Sequence, residues 1–187
     1  EESVTLTSTS RGPAPMVPPT AVIRSRLIVP MTGPSDAIFI EVPEGPRLLV
    51  DGGPGGGARF DVGERVVAPY LWNRGVTGLD VVAATHADAD HSGGLAAVLR
   101  RFTVREVWEN GRWGPGHEDV VAALERSGAA RRIVSGRQRI WRGEALLTIL
   151  NPPGPDQPEP ATPGENDRSL VLRLDWRGVS ILLTGDL

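Results

Sequence analysis

The sequence predicts an α+β sandwich, on three observations. Short apolar runs of strand length alternate with helix-like segments along residues 21–187, which fits neither an all-α nor an all-β domain. The first half holds more strands joined directly to one another than a doubly wound fold would. Apolar runs also end repeatedly in acidic residues: Leu48–Val50 runs into Asp51, Leu79–Thr85 into the segment with Asp88 and Asp90, and Ser180–Thr184 into Gly185-Asp186.

Along the chain, residues 1–20 read as an extended leader carrying Pro13, Pro15, Pro18 and Pro19. Strands are expected over Arg26–Val29, Asp36–Val42 and Arg47–Val50. Phe60–Asn73 fits an amphipathic helix, with Val62, Val66, Val67, Tyr70 and Leu71 on one side. The Leu79–Ala84 strand, a Leu95–Phe102 helix, a Val104–Trp108 strand and a His117–Arg126 helix follow. Arg132–Val134, Gln138–Trp141, Ala145–Leu150, Ser169–Leu174 and Val179–Thr184 make the second half rich in strands. Between two of them, Asn151–Asn166 carries six prolines and reads as a long surface loop of the kind that borders a site.

Composition narrows the function. At 187 residues and 40% hydrophobic content the chain is globular, one domain with a real core. No apolar run reaches membrane-spanning length, and no secretory signal is visible. With no cysteine, disulfides and thiolate ligands are excluded. A net charge of −3 argues against coating nucleic acid by bulk electrostatics. All twenty basic residues are arginine, which a coding bias explains most simply, although the guanidinium fork also suits phosphate oxygens.

The segment Thr85-His86-Ala87-Asp88-Ala89-Asp90-His91-Ser92-Gly93-Gly94 concentrates two imidazoles and two carboxylates within six residues. His86, Asp88, Asp90 and His91 on a loop leaving a strand can turn toward one point, and so tight a cluster of charge calls for a cation. Two imidazole and two carboxylate donors suit a borderline or hard divalent cation, and the two nitrogens weaken a calcium-type reading of the loop. Asp186, beyond a distant strand, is the candidate shared ligand. Asp51 is expected to bond nearby backbone amides and hold the floor of the site. Ser92-Gly93-Gly94 would let backbone amides approach an anion at a helix start. The glycine run 52–57 lacks the Lys-Ser/Thr of a phosphate-binding loop, so no nucleotide cofactor is expected. Asn166, Asp167 and Ser169 either line the cleft or cap a strand, and His117 reads as a surface residue opening a helix.

These residues resemble the metallo-β-lactamase fold, whose ligand loop reads His-x-His-x-Asp-His after a strand; here Asp88 replaces the second histidine. The form His-x-Asp-x-Asp-His-x-Gly-Gly, with Asn166–Leu172 and Leu182–Asp186, is similar to the C-terminal domain of ComEC-type DNA-uptake channel proteins, from about Leu27 onward. That branch usually opens with Asp-Val-Gly-Gln-Gly-Asp-Ala, of which Met31–Ala37 keeps Gly33, Asp36 and Ala37. The resemblance implies an αββα sandwich lacking its C-terminal portion, where a further strand–helix part carries a last histidine. It implies two divalent metal ions, zinc or manganese, on His86, Asp88, Asp90, His91 and Asp186, with Asp90 and His86 as catalytic residues. It also implies a metal-dependent phosphodiesterase or nuclease acting on DNA during bacterial DNA uptake, as a soluble, extracytoplasmic domain of a cell-membrane protein that works beside its channel portion. The rivals are a stand-alone cytoplasmic hydrolase of a small ester, lactam or phosphoester, and a metal-stabilised scaffold that binds DNA without cutting it.

Overall fold

The computed structural model describes residues 24–28 (as backbone), 37–55, 60–156, 164 and 166–187. The leader at 1–20 and the Met31–Asp36 part of the expected opening motif lie outside them. Six strands, β1 (Arg24–Ile28), β2 (Ala37–Glu41), β3 (Arg47–Val50), β4 (Gly78–Ala83), β5 (Thr103–Glu109) and β6 (Ala130–Ile133), form one sheet in that order. β1–β3 are antiparallel, and β3–β6 run parallel. Four more, β7 (Arg139–Arg142), β8 (Ala145–Asn151), β9 (Val171–Trp176) and β10 (Val179–Leu183), form an antiparallel sheet.

The register explains why β3 and β4 read as unbroken apolar runs. Phe39, Leu49, Val82 and Val107 align across four strands and face the helices, while Ile40, Leu48 and Val81 on the next rung face the second sheet. A strand buried on both faces has no polar side to alternate. Trp108, Leu147, Leu170, Leu172 and Leu174 complete the core between the sheets. Each such fully buried side chain stabilises the fold by about 1.5–3 kcal/mol.

Helices α1 (Ala68–Asn73), α3 (Leu95–Arg101) and α4 (Glu118–Ser127) cover the six-stranded sheet, and α2 (Ala89–Ser92) is a single turn before α3. The expected helix over Phe60–Asn73 forms, but its first half, Gly63–Val67, widens into a π turn. Gly63 there lies so close to the Gly94 carbonyl that a Cβ would collide with it, so the segment bends around that contact. The described residues thus stack as three layers, helix, sheet and sheet. None of the described helices is long and apolar enough to cross a membrane. β10 ends the order of its sheet, and Leu182 on it is 56% exposed.

Parallel order puts the carboxyl ends of β3, β4 and β5 at one edge. The backbone of Leu170 donates to the Thr85 carbonyl at 2.7 Å and ties the second sheet to that edge. Asp51 and the His86–Gly94 segment leave from that edge.

Candidate metal centre

Asp51 leaves β3 in the left-handed conformation (φ 58°), which an acidic residue tolerates better than most, and its backbone N–H still bonds the Ala83 carbonyl at 2.8 Å. The turn directs its carboxylate, only 2% exposed, under β4 rather than along the strand. Oδ1 accepts the Thr85 backbone N–H at 2.8 Å, and Oδ2 accepts the Thr85 hydroxyl at 2.7 Å. The same Oδ2 lies 3.0 Å from Nδ1 of His91. The Thr85 hydroxyl, with its proton on Asp51, faces Nδ1 of His86 at 2.9 Å and can only accept there.

These bonds fix both tautomers. Nδ1 of each ring carries a proton, in His91 toward a carboxylate and in His86 toward a hydroxyl, so Nε2 is the ring atom each can turn to a cation, in His91 once its second proton has left. The rings lie 4.2 Å apart between centroids. Asp186 arrives from the end of β10 and places Oδ1 3.2 Å from Nε2 of His91. One ligand atom from each of His86, His91 and Asp186 falls within 4.8 Å of the others, although Asp186 is 95 residues beyond His91 in the chain.

Ser169 and Gly185 hold Asp186. The Asp186 backbone N–H points at Oγ of the fully buried Ser169 at 3.4 Å. Gly185 has φ +55°, and a Cβ on it would lie 3.0 Å from Thr85 and 3.1 Å from Ser169. Asn151 braces the same turn by donating to the carbonyls of Ser169 (2.8 Å) and Asp167 (2.9 Å).

The remaining expected donors sit further out. Asp88 is exposed, with Oδ2 3.5 Å from Nε2 of His86, and Asp90 is half-buried on α2; among the described residues neither joins the three-donor group. Asp90 still contributes its charge to His91. The Ser92-Gly93-Gly94 turn does not offer amides to an anion. Gly93 N–H bonds the Ala89 carbonyl and Gly94 N–H the Gly53 carbonyl, because these glycines are where the helical layer meets the loop after β3. Of the cleft candidates, Ser169 is buried at the centre, while Asn166 and Asp167 are exposed on a 3₁₀ turn. His117, half-buried before α4, stacks on Trp113 instead of standing free. Thr85 was missed, though its place at a strand end directly before a candidate ligand was a usable signal.

Burial opposes a charge on His91, but the Asp51 hydrogen bond and the charges of Asp51, Asp186 and Asp90 outweigh it and push its pKa up to about 9. Nε2 of His86 is buried with no hydrogen-bond partner. A buried lone pair left open beside a second imidazole and a carboxylate is what a cation would satisfy, and the nitrogen–oxygen donor set suits a borderline divalent ion.

The model of the metallo-beta-lactamase superfamily matches residues 30–187. The chain belongs to that superfamily. Its fold is that of metal-dependent hydrolases, whose members typically bind divalent metals. The chain is 32% identical over 168 residues to ComE operon protein 3 of Bacillus subtilis, covering 83% of this chain and 21% of that protein. It is 28% identical over 148 residues to Recombination protein 2 of Haemophilus influenzae, covering 78% of this chain and 16% of the other. It thus spans about a fifth of the curated relatives it matches. Among solved structures, a Cronobacter sakazakii metallo-beta-lactamase with a HARLDQ motif superposes with a TM-score of 0.54 at 15% identity, covering 80% of this chain and 52% of that one.

Proposed function

We propose that this chain is the phosphodiesterase domain of a bacterial DNA-uptake protein, cleaving DNA with two divalent ions, zinc or manganese. The observation that carries the reading is the convergence of two imidazoles, His86 and His91, with the Asp186 carboxylate brought from the other sheet. The relatives named for a ComE operon and for recombination support DNA as the substrate.

His86 and Asp88 would hold one ion, Asp90 and His91 the other, and Asp186 both. Divalent ions bound there supply the positive charge that acidifies water and receives phosphate oxygens. The chain's own contribution is orientation: with Nδ1–H of His91 held by Asp51 and Nδ1–H of His86 by Thr85, each ring turns Nε2 toward the donor group, and the Nε2 proton of His91 would give way to an ion. Asp88, Asp90 and Asp186 bring three negative charges against four from two ions, so a loaded site attracts a phosphodiester that an empty one repels. The domain would sit outside the cytoplasm beside a membrane channel of the same protein.

Purified protein with manganese or zinc should cleave single- or double-stranded DNA, and lose that activity in chelator and in Asp90→Ala. Hydrolysis of a lactam or small ester with DNA left intact would replace this reading with that of a general hydrolase. Metal-stabilised folding with no cleavage of any substrate would indicate a scaffold.

A further inference from the structure

Residues 131–142 hold five arginines and no acidic residue, in a chain whose net charge is −3. They form β6, β7 and the turn between them. β6 ends the six-stranded sheet and β7 ends the four-stranded one, so each has one edge without a partner among the described strands. Ile133 and Arg139 are six residues apart, a reach of at most about 20 Å, so the two open edges lie on one side of the sandwich. β6 is parallel to β4 and β5, which puts its carboxyl end and the turn at the edge where His86 emerges. The turn is tied to the site: Gly136 N–H bonds the Pro152 carbonyl at 2.9 Å, and Asn151 next to it bonds the Ser169 carbonyl.

The basic residues divide into anchors and free cations. Arg131 pairs with buried Glu109, and Arg142 with Glu106 at 2.5 Å. Arg132 shares Glu106 at 3.2 Å but keeps nearly half its side chain exposed. Arg137 and Arg139 are exposed and form no ion pair with a described residue; Asp175 only feels the charge of Arg139. Trp141 is two residues from Arg139, on the same face of β7, and is 61% exposed.

We infer that this wall is a binding track for a single nucleic-acid strand running from the metal centre, with Arg132, Arg137 and Arg139 on successive phosphates and Trp141 stacking on a base. The inference rests on the DNA-cleaving reading for why a strand would be there, but the track consists of residues outside the site. Exposed forked guanidinium groups along an edge suit phosphate oxygens, and an exposed indole beside them offers the face that a base needs and a lipid headgroup does not.

The test uses the whole chain in chelator, with fluorescence anisotropy of a labelled single-stranded oligonucleotide as the probe. Arg137→Gln with Arg139→Gln should weaken binding about tenfold and lower the salt slope by about 1.4, or about 0.7 for each lost phosphate contact. Trp141→Ala should weaken it about tenfold without changing that slope. With metal, hydrolysis of bis(4-nitrophenyl) phosphate, too small to reach the wall, should equal wild type in all three substitutions. A wild type that does not bind the oligonucleotide, or variants that bind it unchanged, overturns the track even if the protein cuts DNA. Strand binding that depends on the wall, in a protein that hydrolyses no phosphodiester, keeps the track and removes the nuclease. Tighter binding to phosphatidylglycerol vesicles than to the oligonucleotide overturns it in favour of a membrane surface. Because the arginine pair is exposed, its variant tests the track even if Trp141→Ala destabilises the protein.

Discussion

His86 and His91 stand five residues apart with rings 4.2 Å from each other, yet they are held in different ways. His91 is clamped on both sides, by Asp51 at Nδ1 and by Asp186 at Nε2. His86 rests on a hydroxyl at Nδ1 and has an unpartnered Nε2. One carboxylate thus sets both rings, His91 directly and His86 through Thr85. Without a cation His91 can take a proton between two carboxylates.

The largest effect should follow from removing the group both rings share. Asp51→Ala strips the partner from His91 and from both donors of Thr85, and breaking so buried a network costs on the order of 3–5 kcal/mol. The stabilisation that added metal gives in thermal melts should nearly vanish with it. Unchanged metal affinity in a folded Asp51→Ala protein would show that the rings are oriented by something else.

Thr85→Val separates the two rings. It leaves His91 on Asp51 and removes the hydroxyl that accepts from His86 and donates to Asp51. Metal affinity should fall about tenfold, the low end of what lost outer partners cost. The ¹⁵N shifts of the imidazoles should show a mixed tautomer at His86 and an unaltered one at His91. Equal disturbance of both rings would remove the asymmetry.

Much of this arrangement was legible in the sequence, for identifiable reasons. The strand-rich α+β architecture followed from apolar runs whose lengths and order the structure reproduces, with boundaries shifted by one or two residues. The donors crowd into one loop, and Asp186 follows a glycine at a strand end, so type and position were visible even though 95 residues separate it from His91. The roles of Thr85 and Gly93-Gly94 were not visible. Thr85 matters only because β3 and β4 are parallel neighbours, which puts Asp51 beneath it, and the glycines matter because a helix packs on the loop after β3. Both depend on which strands and helices meet, and spacing within a motif carries no information about that. The exposed edge of β10 likewise follows from sheet order and not from its own apolar run.

A smaller change tests the other clamp. Gly185→Ala places a Cβ against Thr85 and Ser169 at a residue with φ +55°, costing about 1–2 kcal/mol from the left-handed backbone alone. The strain is relieved if the Asp186 turn swings outward. His91 would then lose one of its two flanking carboxylates while Asp51 stays in place, so metal affinity should drop by less than in Asp51→Ala. A variant that melts lower yet binds metal as wild type would separate the turn from the site.

The subtlest consequence is in pH, and its sign differs between the two forms of the protein. In chelator, the His91 pKa is raised from 6.5 to about 9, so the native state holds this proton more tightly than the unfolded chain does. The stabilisation is complete below about 6.5 and is lost as pH rises through about 9, so the denaturation midpoint should fall across that window. With metal the proton becomes a competitor for Nε2, and affinity should climb with pH over the same range. Asp186→Asn removes one of the two flanking carboxylates, which should shrink the chelator-form slope while Asp51 keeps part of it. A midpoint in chelator that stays level or rises between these pH values would mean that His91 does not carry the proton, and the contrast between the two rings would then have to rest on His86 alone.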